Sequence, residues 1–135
     1  MSLKSFFKEN NIKVEKVQYL ASDRFKDEKG NYIYWILKVL TNQELDVIRD
    51  NCTKNIFEKH QPIQKLDSEK FAKEWIVKVI EFPNLYDKEL QDNYGVMDPY
   101  DLLCEILTSG EMLALKEKIN SLHEYDAKQV DDIKN

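Results

Sequence analysis

The sequence predicts an α+β fold that is mostly helical, with one amino-terminal β-hairpin packed on a small bundle of about four to five helices. Three observations carry that reading. A charged turn, Asp27-Glu28-Lys29-Gly30-Asn31, opens directly into residues 32–40, which are rich in aromatic and β-branched side chains. Capping residues stand ahead of apolar runs with helical period at Thr41, at Asp67 or Ser68, at Asp98 and at Ser109. Only three glycines and three prolines interrupt the chain, as suits long helices.

The elements follow in order. Ser2 can cap, and Leu3, Phe6 and Phe7 fall at helical spacing behind it, so residues 2–10 read as a short amphipathic helix or a docking arm. From Val14 to Ala21, Val17, Tyr19 and Ala21 alternate with Lys16, Gln18 and Ser22, the pattern of a strand with one buried face. In the strand after the turn, Ile33, Trp35, Leu37 and Val39 make a wholly apolar face, and Tyr32, Tyr34, Ile36 and Lys38 a mixed one. A lone hairpin is marginal in water, so the apolar face should rest on helices.

Thr41 and Glu44 have the spacing of a capping box, opening a helix to about Asn55 with Leu45, Ile48 and Cys52 inward. Residues 57–66, with Pro62 and little periodicity, read as a surface loop. A second helix carries Phe71, Ala72, Trp75, Ile76, Val79 and Ile80 and should end before Pro83; as the most hydrophobic helix it belongs at the centre. A short turn of helix from Asp87 to Asn93 closes at Gly95. Asp98 followed by Pro99 restarts the chain as a helix with Leu102, Leu103, Ile106 and Leu107 inward. Ser109 caps the last helix, through Met112, Leu115, Ile119 and Leu122. One globular domain over residues 1–123 is expected, followed by a polar, mobile tail at 124–135.

Composition excludes several functions. Hydrophobic residues at 42% and charged residues at 33% belong to a folding chain, not a disordered one. The net charge of −5 is scattered in both signs, and the most basic stretch, residues 54–65, is diluted by Glu58, so no nucleic-acid footprint is expected. The seven Tyr, six Phe and two Trp therefore lack the basic groove of a base-stacking platform, and Trp35 and Trp75 read as core residues. No stretch approaches the ~20 apolar residues of a membrane span, and residues 1–11 do not read as a signal peptide, so a cytoplasmic protein is expected.

Chemistry is equally sparse. Cys52 and Cys104 lack metal-ligand spacing and read as reduced, half-buried thiols. His60 and His123 stand without a second histidine at helical spacing and read as solvated. Asp87, Glu89 and Asp92 could be imagined around a hard cation, but acids near a helix amino terminus are explained by the helix dipole. There is no phosphate-cradling glycine loop and no strained serine elbow, so no catalytic residue, cofactor or metal is expected.

The run Glu89-Leu90-Gln91-Asp92-Asn93-Tyr94-Gly95-Val96-Met97, preceded by Phe82-Pro83-Asn84-Leu85 and followed by Leu102-Leu103 and Gly110-Glu111, resembles the XkdN-like phage tail assembly chaperones. Upstream, Arg24-Phe25-Lys26-Asp27-Glu28-Lys29-Gly30, then Trp35 and Leu40-Thr41, resembles the amino-terminal half of the same family. Asp98-Pro99, Met112 and His123-Glu124-Tyr125-Asp126 depart from the family pattern. The resemblance implies a protein of the host cytoplasm that binds the tape measure protein and helps tail tube subunits polymerise around it, without turnover and absent from the finished particle. The alternative is a structural tail or head-completion protein retained there. Candidate partner-binding residues are Phe6, Phe7, Tyr32 and Tyr34 as exposed patches, with Leu90, Tyr94 and Gly95 from the shared run. A structural role for those last three, closing a helix and plugging the core, is the competing reading. Self-association is favoured by the multivalency that a long client rewards.

Overall fold

The computed structural model describes residues 2–11 and 16–124. Within them five helices and two small sheets share one core: β1 (Val17–Tyr19), β2 (Trp35–Leu37), α1 (Asn42–Asn51), β3 (Thr53–Glu58), β4 (Gln61–Leu66), α2 (Ser68–Val79), β5 (Ile80–Phe82), α3 (Lys88–Asn93), α4 (Pro99–Ile106) and α5 (Ser109–His123). This is the α+β, mostly helical class that the sequence predicts. The expected tail lies, from residue 125 on, outside the described residues, as do Val14 and Glu15 of the expected first strand.

The hairpin forms around its turn chemistry. Asp27 accepts from the backbone N–H groups of Lys29 (2.8 Å) and Asn31 (2.9 Å), and Gly30 supplies a φ of +82°. Lys26 then pairs with Tyr32, and further down Val17 faces Leu37 and Tyr19 faces Trp35, antiparallel. Trp35 and Leu37 are buried, as their face predicts.

The sheet has a third strand that the sequence reading placed in a helix. α2 stops at Val79, and Ile80 turns at once into β5, antiparallel to β2 on the side away from β1. Central β2 thus has both edges paired, and Lys38 N–H donates to the Val79 carbonyl (2.9 Å) where the chain changes from helix to strand. The apolar run Val77, Val79, Ile80 satisfies either period, and only pairing to β2 decides it.

α2 is central, meeting α1, α4 and α5 as well as β5. Its buried residues are Ile76, Val77 and Val79, whereas Ala72 is exposed. Leu37, Val79, Leu102, Leu103 and Leu115 have no exposed surface and form the middle of the core.

The caps are close to those expected. Glu44 N–H donates to Thr41 Oγ1 (3.2 Å) and Thr41 N–H to Glu44 Oε1 (3.1 Å), completing the capping box of α1. Asp67 caps α2 through Lys70 N–H (3.1 Å), and Asp98 caps α4 by accepting from Tyr100 and Asp101 N–H. α5 is capped by Thr108, not Ser109: Thr108 Oγ1 accepts from Glu111 N–H (3.2 Å), and Glu111 reaches back to Thr108 N–H (2.8 Å).

Three further expectations are corrected. Residues 2–10 form two separate 3-10 turns, Leu3–Phe6 and Lys8–Asn10, with every side chain exposed. A helix this short is marginal without a surface to pack on. α1 ends at Asn51, four residues early, and residues 57–66 belong to an antiparallel hairpin, β3 with β4, in which Ile56 faces Ile63. Its two-residue tip, Lys59 and His60, has φ of 51° and 65°, the left-handed pair that a tight hairpin turn needs and that Asn-Gly normally announces.

Glu111 does more than cap. Arg24, in the loop after β1, donates from Nη2 to Glu111 Oε1 (2.6 Å) and to the Ile106 carbonyl (2.7 Å), so one guanidinium joins the hairpin to the α4–α5 junction. That hydrogen bond, followed by those of the Ser22 hydroxyl and the Thr108 N–H, holds the Glu111 carboxyl down at about 2, against an ordinary value of 4.5. A carboxyl depressed in the folded state stabilises the fold above its unfolded value, and that stability is lost as pH falls from about 4.5 towards about 2. Urea unfolding across this window should show an acid loss of stability that is markedly smaller in Glu111→Gln.

Candidate partner-binding surface

The seven candidate residues fall into two groups. Phe6 is 79% exposed, and Phe7, Tyr32 and Tyr34 are each about half exposed. Phe6 and Phe7 sit on the amino-terminal turns, whereas Tyr32 and Tyr34 lie just before β2, where Lys26 Nζ stands 5.1 Å from the centre of the Tyr32 ring. A cation over an aromatic face is a weak attraction at an exposed site and leaves the other ring face open.

Leu90 lies inside α3, and Tyr94 and Gly95 close it. Asp87 caps it by accepting from Leu90 N–H (2.9 Å). At the other end Gly95 takes a φ of +70°, Val96 N–H donates to the Gln91 carbonyl (3.0 Å) and Gly95 N–H to that of Asp92 (3.1 Å). This pair of bonds is a Schellman closure. Leu90, Tyr94 and Val96 are half-buried against the core, and Gln91 Nε2 donates to the Leu85 carbonyl (2.8 Å). A Cβ on Gly95 would meet nothing within 4 Å, so only backbone conformation asks for glycine there. Gly95→Ala should therefore cost about 1 kcal/mol and Gly95→Asn less, read from urea midpoints at unchanged slope.

A solvent-open groove of about 590 Å³ lies between α1, α2 and the segments flanking α3. Val47, Ile48, Val77, Tyr86, Pro99 and Tyr100 supply its apolar lining, and Glu44, Glu74 and Asp98 line it together with Lys70, Lys73 and Lys78, so both signs of charge border it. Val47 and Tyr86 are exposed, and Lys73 Nζ stands 5.3 Å from the Tyr100 ring centre. Partial burial, then the charges of Glu74 and Asp98, raises the Tyr86 phenol above its ordinary value. Sequence reading missed this groove. The available signal was Val47, an apolar residue among Asp46, Arg49 and Asp50 on the face of α1 expected to be wet.

Beside the groove, the buried Cys52 thiol donates to Glu74 Oε2 (3.3 Å), and burial followed by that bond raises it to about 11. A thiol so placed is protonated and a poor nucleophile. Cys104, expected half-buried, is exposed. His60 is exposed at the β3–β4 tip, but His123, expected to be solvated, is half-buried. Its Nε2 accepts from Leu40 N–H (3.0 Å), and its Nδ1 lies 2.8 Å from the Ile119 carbonyl. Among the described residues no three His, Cys, Asp or Glu side chains gather as a metal-binding group, and no helix is long and apolar enough to cross a membrane.

The chain resembles known proteins over most of its length. It is 29% identical over 109 residues to the YqbN protein of Bacillus subtilis (strain 168), covering 80% of this chain and 73% of that one. To the phage-like element PBSX protein XkdN of the same organism it is 28% identical over 109 residues, covering 80% and 74%. The crystal structure of the protein YqbN superposes with a TM-score of 0.77 at 26% identity, covering 93% of this chain and 98% of that one. The family model of the phage XkdN-like tail assembly chaperone protein matches residues 3–135. Carrying the capped α3 turn and the core that this match spans, the chain belongs to the XkdN-like phage tail assembly chaperone family.

Proposed function

We propose that this member of the family binds the tape measure protein of its own phage or prophage in the host cytoplasm, and helps tail tube subunits assemble around it, with no catalytic turnover. The observation that carries the reading is the open groove between α1 and α2, with an apolar floor and charges of both signs on its rim. Such a surface suits one amphipathic helix, whose apolar stripe would otherwise aggregate and whose polar flanks would meet the rim. In this reading Phe6, Phe7, Tyr32 and Tyr34 are auxiliary contacts. Leu90, Tyr94 and Gly95 hold the turn that places Tyr86 and Asp98 on the rim.

Co-expression with the tagged tape measure protein of the same genome should retain this chain. The pair Val47→Asp and Tyr86→Ala should weaken retention at least tenfold while circular dichroism stays unchanged. Failure of both the tape measure and the tail tube protein to retain the wild-type chain would end the proposal.

A further inference from the structure

The β3–β4 ribbon stands apart from the rest of the fold in composition and exposure. Leu66 packs on the core, but Ile56 and Ile63, which face each other, are only half-buried, and most other ribbon side chains are exposed. A two-stranded sheet is marginal in water, so an uncovered one gains from a partner. The ribbon carries Lys54, Lys59 and Lys65 against Glu58 in a chain of net charge −5. Lys54 and Lys65 are direct cross-strand partners, and like charges in that position destabilise a free ribbon. Of these three lysines only Lys54 has an acid within 4 Å among the described residues, Asp67 at 3.9 Å.

Acidic charge of matching form lies on α4. Asp101 and Glu105, both exposed, are one helical turn apart and have no ion-pair partner among the described residues. Neighbours four apart on a helix present their side chains at about the 5–6 Å spacing of a cross-strand pair. Asp98 extends the acidic stripe towards Met97, which is 95% exposed.

We propose that the β3–β4 ribbon of one copy docks on the acidic face of α4 of a second copy, with Lys54 and Lys65 opposite Asp101 and Glu105. Ribbon and acidic face are different patches, so the contact is head-to-tail and each copy can engage two others. The inference stands apart from the client-binding reading, because it concerns the purified chain alone.

Sedimentation equilibrium of the full chain, from micromolar to millimolar, tests it. The wild type should self-associate, at least tenfold more weakly when salt rises from about 0.05 to about 0.5 M. Lys54→Glu with Lys65→Glu, or Asp101→Lys with Glu105→Lys, should each weaken association at least tenfold at low salt. Mixing the two reversed proteins should restore a complex. Lys65→Gln alone, a change on an exposed residue, should lower association in the same direction should a double variant fail to fold. A wild type that sediments as a 16.1 kDa monomer throughout would overturn the proposal, as would reversed variants associating within twofold of wild type.

Discussion

Replacing Leu103 by alanine is expected to lower the free energy of unfolding by about 2–5 kcal/mol, the range for a fully buried leucine. Leu103 has no exposed surface and sits on α4 within the common core. The loss has two parts, the transfer free energy of the removed carbons and the cavity that close-packed neighbours fill only in part. Leu113, on α5 and 63% exposed, provides the contrast, since Leu113→Ala should stay within about 0.5 kcal/mol of wild type. Urea unfolding of the two variants measures both. Equal midpoints for Leu103→Ala and wild type would mean that α4 does not occupy the core.

His123→Ala is expected to cost about 2–3 kcal/mol, which is large for a half-buried residue in the last turn of the last helix. The imidazole joins distant parts of the chain. Because Nε2 accepts from Leu40 N–H, Nδ1 carries the proton and donates to the Ile119 carbonyl, one turn back on α5. Its ring also meets Trp75 edge-on, with centroids 5.4 Å apart. Alanine leaves the N–H of buried Leu40 without its acceptor and removes the aromatic contact. His123→Gln, which keeps a terminal acceptor, should recover part of the loss. A difference below about 0.5 kcal/mol between His123→Ala and wild type would show that water replaces the imidazole at no cost.

The fold was legible wherever the signal is local. Thr41 with Glu44, Asp98 with Pro99 and Gly95 specify ends of helices through groups within a few residues of one another, and each forms as expected. The same logic was available at Thr108 and Glu111, which have the capping-box spacing, although Ser109 lies closer to the apolar run. The β3–β4 hairpin escaped because its tip places Lys59 and His60, not asparagine or glycine, at positive φ, and because Pro62 breaks the expected pattern. Pro62 is tolerated on a two-stranded ribbon, where each strand has an open edge.

Of the candidate surface, Phe6, Phe7, Tyr32 and Tyr34 are exposed side chains, but the groove itself was not legible. Its lining comes from residues 44–51, 70–78, 86 and 98–100, segments with no shared local pattern. A concavity exists only once α1 and α2 are placed side by side.

The amino-acid order alone determined the fold class, the caps at Thr41 and Asp98 and the first hairpin, because backbone hydrogen bonding and periodic burial act over a few residues. Tertiary structure decided what depends on partners far along the chain. Ile80 became a strand by pairing with β2, Arg24 met Glu111 across 87 residues, and His123 found the N–H of Leu40. Local preference is worth tenths of a kcal/mol per residue, and a buried long-range hydrogen bond or strand pairing exceeds it.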